Sequence, residues 1–177
     1  MMRTRDVDFL VRNLKKPPER TDFLERIRKT GFIIDVDRDS DIHRFIQTDV
    51  DMEVEFLIQE RGAGEMEAHH VESLGIKVPG LRNLDILAAF PMTATYNETG
   101  ILIPTPEAYV IHKLVINAQR ADEKRGKDIE AVRMILGYII DNQRDSCFIE
   151  VWNSLSKKQR KAAQATLSEN NIKVFFR

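Results

Sequence analysis

The spacing of apolar residues changes at Thr105-Pro106, and this change constrains the fold more than any other feature of the sequence. Before it, short segments such as Met52-Glu53-Val54-Glu55-Phe56-Leu57 alternate apolar and polar residues, which is typical of strands. After it, apolar residues recur at helical spacing, and Thr105, Pro106 and Glu107 form a strong helix-start signal. We therefore predict an α/β (α+β) protein: a mixed β-sheet domain with flanking helices over residues 1–104, then a C-terminal helical bundle over residues 105–177.

Individual elements follow from local patterns and turn residues. In the first half the strands are predicted at residues 5–11, 32–36 (buried), 42–46 and 51–58, the last two forming a hairpin, with a second small hairpin over 93–103. Helices are predicted there at residues 21–31, near Met66–Leu74 within an otherwise irregular stretch, and at Arg82–Ala89. In the second half we expect helices at 106–119, 122–141, 147–155 and 157–169 and a closing strand at Ile172–Phe176.

Composition excludes several classes of protein. Apolar residues make up 42% of the chain and charged residues 31%, which is typical of a folded globular protein. The single cysteine, Cys147, excludes an internal disulfide. No apolar run is long enough to span a bilayer, no signal peptide is evident, and we expect a cytoplasmic protein without membrane partners. The net charge of −1 gives no overall attraction to nucleic acid, so any such binding requires a local basic patch.

Three acidic residues lie within two of the predicted strands. Asp6 and Asp8 are two residues apart and therefore point to one face, while Val7, Phe9 and Val11 point to the other. If Glu55 lies on the neighbouring strand, three carboxylates converge. Such a cluster has the oxygen ligands that hold one or two Mg²⁺ ions against a nucleoside triphosphate.

The spacing of these acids does not by itself identify a site. With 28 acidic residues in 177, an acidic-x-acidic triplet is expected roughly four times by chance. Two interpretations are therefore open: the acids form the solvated faces of antiparallel strands, or Asp6, Asp8 and Glu55 form a metal site.

Basic residues in the helical half offer a second candidate site. Lys113 is the only charged residue in the apolar helix segment Ala108–Ala118, so it either extends past its neighbours to solvent or reaches a phosphate. Arg120, Lys124, Arg125 and Lys127 crowd the junction to the next helix. They form either a solvated face or a cradle for phosphates or an RNA backbone.

Several motifs in order along nearly the whole chain resemble bacterial nucleotidyltransferase-fold proteins of the DNA polymerase beta superfamily. They are Thr4-Arg5-Asp6-Val7-Asp8-Phe9, Glu53-Val54-Glu55-Phe56-Leu57, Leu81-Arg82-Asn83-Leu84-Asp85-Ile86-Leu87, Ile103-Pro104-Thr105-Pro106, His112-Lys113-Leu114 and Lys127-Asp128-Ile129. Their order carries the resemblance. Similar proteins include minimal nucleotidyltransferases and the toxins of nucleotidyltransferase toxin–antitoxin pairs.

The resemblance implies a reaction and a set of site residues. It implies Mg²⁺-dependent (or Mn²⁺-dependent) transfer of a nucleoside monophosphate from a triphosphate to a hydroxyl of a protein or RNA acceptor. Asp6 and Asp8 would be the paired metal ligands and catalytic residues, Glu55 the third carboxylate, and Lys113 a helical lysine facing the nucleotide. Thr4 and Lys127, in the matching segments, are the other expected nucleotide-binding residues.

The sequence departs from the family pattern in two places. Similar proteins carry a helix with a Gly-Gly or Gly-Ser motif just upstream of the Asp-x-Asp strand, whose amides hold the triphosphate. Only Met1, Met2 and Arg3 precede Thr4, so we expect that element to be missing, either because the true start lies upstream or because the protein is a truncated relative. The third acid is Glu where many relatives use Asp.

Two other functions compete with the enzymatic one. The first is a catalytically inactive relative that senses nucleotides or binds a protein partner. The second is an RNA-binding protein that acts through the Arg120–Lys127 cluster. The donor base, the acceptor and the oligomeric state are not encoded in any recognisable motif.

Overall fold

The computed structural model describes residues 5–11, 21–60 and 67–174. The chain divides into two compact units, one ending at Leu84 and one beginning at Asp85. Strands dominate the first unit and helices the second, which confirms the predicted mixed α/β class with a helical C-terminal part. The division lies upstream of the predicted domain boundary at 104–105, and the two-domain assignment stays a prediction.

A mixed sheet forms the first unit. Its strands are β1 (Asp6–Val11), β2 (Ile33–Val36), β3 (His43–Gln47), β4 (Met52–Gln59), β5 (Ala68–Val71) and β6 (Ile76–Leu81), and helix α1 spans Phe23–Lys29. The sheet order is β2-β3-β4-β6-β5, and β1 also pairs with β4. The β1–β4 and β4–β6 pairs are parallel, and the others are antiparallel.

One face of this sheet is apolar and is covered by α1. Its buried core contains Phe45, Val54, Ile58, Val71, Ile76 and Val78. Phe56 lies between three other aromatic rings: it stacks on Phe9 with centroids 5.4 Å apart and meets Phe23 and Phe45 edge-on. Packing of this kind contributes about 0.5–1.5 kcal/mol per pair beyond the area buried. The aromatic contacts tie β1, β3 and α1 to β4.

Three local expectations for the sheet unit and the C-terminus were wrong. Residues 68–71 of the predicted helix near Met66–Leu74 form β5, which pairs with β6 through a turn at Gly75 (φ +66°), while Met66 lies outside the described residues. β2 is an edge strand with Ile33 55% exposed, not a buried strand. Residues 172–174, the described part of the predicted closing strand, have no regular structure.

Helices and one hairpin form the second unit. The elements are α2 (Leu84–Ala89), β7 (Pro91–Tyr96), β8 (Thr99–Pro104), α3 (Pro106–Ile116), α4 (Asp122–Asp141), α5 (Asp145–Ser154) and α6 (Lys157–Glu169). The hairpin turns at Asn97 and Glu98, both with positive φ as a tight two-residue turn requires. These elements match the predicted helices and hairpin, with ends that differ by a few residues.

Helix α3 is the centre of this unit. Thr105 caps it by accepting a hydrogen bond from the Ala108 backbone N–H, as the start signal predicts. Val110, Ile111 and Leu114 are fully buried, and they belong to a core that includes Val132 of α4, Trp152 of α5 and Leu167 of α6. The helix is therefore enclosed on most sides, as its nearly uniform apolar sequence predicts.

Candidate active site

Four acidic side chains lie on the polar face of the sheet, and we call them the carboxylate face: Asp6 and Asp8 on β1, Glu53 and Glu55 on β4. In the parallel β1–β4 pair Asp6 is opposite Glu53 and Asp8 is opposite Glu55. Neighbouring strands are about 4.8 Å apart, and paired residues point to the same face. The structure therefore brings Asp6, Asp8 and Glu55 together on one side of the sheet, as a shared site requires.

The opposite face of the same two strands explains the register. Val7, Phe9 and Val11 on β1 are paired with Val54, Phe56 and Ile58 on β4. A shift of one residue would turn the apolar side chains of one strand to the polar face and its acids into the core. Contact between the apolar residues of the two strands, of which Val7 stays 36% and Phe9 44% exposed, thus determines which acids become neighbours.

A cation from β3 lies beside the acids. Arg44 is directly opposite Glu55 in the antiparallel β3–β4 pair. Its Nε is 3.6 Å from Oε1 of Glu55 and 3.9 Å from Oε1 of Glu53. Its side chain is 45% exposed, so these contacts are those of a solvated ion pair rather than of a locked buried one.

The surroundings of Glu55 on the carboxylate face disfavour the charged form of its side chain. Burial raises the pKa of its carboxyl group above the ordinary value, and the nearby charges of Asp8, Glu53 and Asp6 raise it further, while Arg44 opposes the shift. Crowded carboxylates repel one another. A bound divalent cation would relieve this repulsion.

The donor chemistry of the carboxylate face suits a hard cation. Its donors are all carboxylate oxygens, which Mg²⁺ and Mn²⁺ prefer to nitrogen or sulfur. Among the residues that the structure describes, no three acidic, His or Cys side chains are already arranged around a common metal position. A shared ion would therefore need these side chains to rotate toward it.

The three predicted nucleotide-binding residues, Thr4, Lys113 and Lys127, do not share one environment. Thr4 lies outside the described residues. Lys113 belongs to the second unit, where its Nζ is 2.9 Å from Oδ1 of the buried Asp128 and 5.4 Å from the centre of the Tyr109 ring. Lys127 is exposed on α4. A contact of Lys113 or Lys127 with nucleotide stays a prediction.

The basic cluster is partly engaged within the second unit. Arg120 contacts the other oxygen of Asp128 at 3.1 Å, so Asp128 bridges two cations. Arg125 lies 3.5 Å from Glu169 and donates a hydrogen bond to Asn117. Two of the four cations that the RNA-binding hypothesis needs are therefore paired with side chains of the protein itself.

His112 lies beside these ion pairs, and we expect it to make the stability of the fold depend on pH. Burial, together with the charges of Lys113 and Arg120 and against the opposing Asp128, lowers the pKa of its imidazole to about 4. Because the unfolded chain takes up the proton at higher pH, we expect the free energy of unfolding to fall by about 2 kcal/mol between pH 7 and pH 4.5. Urea unfolding followed by the fluorescence of Trp152, the one tryptophan, measures this.

A matched variant isolates the contribution of His112. His112→Gln cannot take up a proton, so the part of the pH dependence that comes from this group is absent, while the carboxylates titrate in both proteins. Equal pH dependence in the two proteins would contradict the assignment.

Arg44 and Glu53 are members of the site that sequence reasoning missed. A signal for Arg44 existed, because the hairpin of β3 and β4 was predicted from the sequence. Residues Thr48 to Asp51 connect Gln47 to Met52, and counting three residues outward from each pairs Arg44 with Glu55. Glu53 has the same spacing from Glu55 that Asp6 has from Asp8.

A family model described as nucleotidyltransferase matches residues 1–157, which include the carboxylate face and the α3–α4 ion pairs. No match to the chain was found among curated proteins or among solved structures. In the described part of the chain, no helix combines the length and the apolar character needed to cross a bilayer.

Proposed function

Because the chain belongs to the nucleotidyltransferase family, we propose that it transfers a nucleoside monophosphate from a nucleoside triphosphate to a hydroxyl of a protein or RNA acceptor, with Mg²⁺ or Mn²⁺. We also propose that it is a member of the DNA polymerase beta superfamily, which the order of its motifs supports. The observation that carries the proposal is the register of β1 on β4, which places Asp8 beside Glu55 and Asp6 beside Glu53.

The site residues have distinct proposed tasks. Asp6 and Asp8 would hold both metal ions, and Glu55 would hold the one next to the acceptor hydroxyl. When bound, the metal supplies neutralisation of the triphosphate and lowers the pKa of that hydroxyl. The acceptor oxygen forms a bond to the α-phosphorus, the bond from phosphorus to the bridging oxygen breaks, and pyrophosphate leaves while the hydroxyl proton passes to solvent.

The position of these acids on packed strands supports that assignment. Phe9 and Phe56 stack directly behind them on the apolar face. Side chains on a packed sheet keep their spacing better than side chains on loops, and catalytic groups require fixed positions. The sheet therefore fixes the backbone positions from which these side chains would reach two metal ions.

A melting-temperature series tests nucleotide binding. We expect at least one of the four common nucleoside triphosphates to raise the unfolding midpoint when Mg²⁺ is present and to have little effect in EDTA. A ligand that binds only the folded state stabilises by about 2.7 kcal/mol at one hundred times its dissociation constant.

Two variants show whether the shift comes from the carboxylate face. Asp6→Asn with Asp8→Asn should abolish the metal-dependent shift. Glu25→Gln also removes a carboxylate charge, here from an exposed ion pair with Lys29, and this variant should retain the metal-dependent shift. A midpoint that no triphosphate changes, with or without metal, would count against the proposed function and would favour a non-catalytic relative.

A further inference from the structure

Arg44 contacts both acids of β4 on the carboxylate face, and nothing in the family match assigns it a task. The face carries four formal negative charges from Asp6, Asp8, Glu53 and Glu55, and Arg44 supplies one positive charge among them. It lies opposite Glu55 and diagonal to Glu53, so it reaches both acids of β4. Its position between them makes it a partial substitute for a metal ion.

The geometry sets Arg44 and a bound cation in competition. Glu55 has Asp8 on one side and Arg44 on the other, because β1 and β3 both pair with β4 at this residue. A divalent ion held by Asp8 and Glu55 therefore lies close to the guanidinium. Two like charges a few ångströms apart at a solvated surface repel by about 1 kcal/mol per pair of unit charges.

We propose that Arg44 is the internal counter-ion of the metal-free carboxylate face. A divalent cation then binds more weakly, because Arg44 must first release its contact with Glu55. This inference rests on the proposed function, since it concerns the same metal site. Arg44 is a positioning residue in this scheme, because it acts through Glu55. Its half-exposed side chain and the long contacts of 3.6 and 3.9 Å allow it to move.

If Arg44 moves away from Glu55, acidic residues on its other side can bind its guanidinium group. Asp35 on β2 is directly opposite Arg44 in the β2–β3 pair, and it lies on the side away from Glu55. Hydrogen bonds from Ser40 and Asp39 lower the pKa of the nearby Asp37 carboxyl group, and the charge of Arg44 adds a smaller part of the same shift. Acidic groups on β2 and in the turn after it can therefore accept the guanidinium when a metal ion takes its place.

The test is an equilibrium titration of the full chain with Mn²⁺ alone, followed by the loss of the electron paramagnetic resonance signal of free Mn²⁺. We expect Arg44→Gln to bind Mn²⁺ roughly three- to tenfold more tightly than the unchanged protein. Arg44→Lys retains the charge and should stay within about twofold. The gain should shrink at high ionic strength, because the pair is partly solvated.

Companion variants separate the possible results. Glu55→Gln should weaken Mn²⁺ binding strongly, which locates the ion. If Glu55→Gln weakens binding and Arg44→Gln leaves it unchanged or weaker, the counter-ion role is overturned while the metal site stands. If Glu55→Gln has no effect, the ion binds elsewhere, and both the proposed metal site and this inference fail.

A second replacement guards against loss of folding. Arg44→Thr puts a residue with high strand propensity at the same position of β3. It should reproduce the tighter Mn²⁺ binding of Arg44→Gln. If neither variant folds, Arg44 is a structural residue of the sheet, and the proposal is overturned.

Discussion

Asp8→Asn is expected to lower the rate of nucleotidyl transfer at least about a hundredfold. The replacement keeps the size and shape of the side chain but removes the charge that, in the proposed reaction, holds a cation next to Glu55. It leaves Phe9 and the apolar face of β1 unchanged, so the sheet should fold as before. Transfer of label from an α-phosphorus-labelled triphosphate to acid-insoluble RNA or protein measures the rate.

Two comparisons make this result specific. Asp6→Asn should show a loss of similar size, since Asp6 and Asp8 share one face of β1. Glu25→Gln, which removes a carboxylate from the exposed pair with Lys29, should leave the rate within about twofold. Transfer that proceeds equally in Asp6→Asn and Asp8→Asn would exclude the carboxylate face as the catalytic centre.

Arg144→Ala is expected to destabilise the second unit by about 4 kcal/mol. Glu107, in the first turn of α3, is fully buried and accepts two hydrogen bonds from the Arg144 guanidinium, the one from Nη2 at 3.0 Å. The hydrogen bonds to Glu107 raise the pKa of Arg144 above its ordinary value. Removing the arginine leaves a buried carboxylate without its counter-charge, which costs far more than the lost pair itself.

Urea unfolding monitored by Trp152 fluorescence measures the change, because Trp152 is buried in the core of the same unit. Lys29→Ala breaks an exposed ion pair of the same chemical type and should cost well under 1 kcal/mol. Combining Glu107→Met with Arg144→Ala removes both charges and should regain part of the stability. A cost for Arg144→Ala as small as that of Lys29→Ala would contradict this account.

Local sequence patterns predicted most elements for clear physical reasons. Helices α3, α4 and α6 are long and periodic, and Thr105 marks a start that the structure confirms with a capping hydrogen bond. The β5–β6 hairpin was missed because Pro79 and Gly80 within β6 indicate a turn rather than a strand. Pro79 is tolerated because it faces Ala68 near the end of a short antiparallel pair.

The positions of the candidate site residues were also predictable where they depend on a single strand, and not where they depend on packing between elements. Alternation along one strand places Asp6 beside Asp8, and places Glu53 beside Glu55, without knowledge of any other element. Lys113 was recognised as unusual in an apolar helix, but its partner Asp128 depends on how α3 packs against α4. The two interpretations of Lys113 from sequence did not include an internal ion pair.

The sequence by itself determined most of the strands and helices and the acidic face of β1, and the short β3–β4 connection carried a signal for Arg44 opposite Glu55. Only the tertiary structure decided that β1 lies parallel to β4 with Asp8 beside Glu55. The physical reason is distance along the chain: periodicity follows from steric rules between near neighbours. The register of two strands more than forty residues apart is set by apolar packing, here by Phe9 on Phe56.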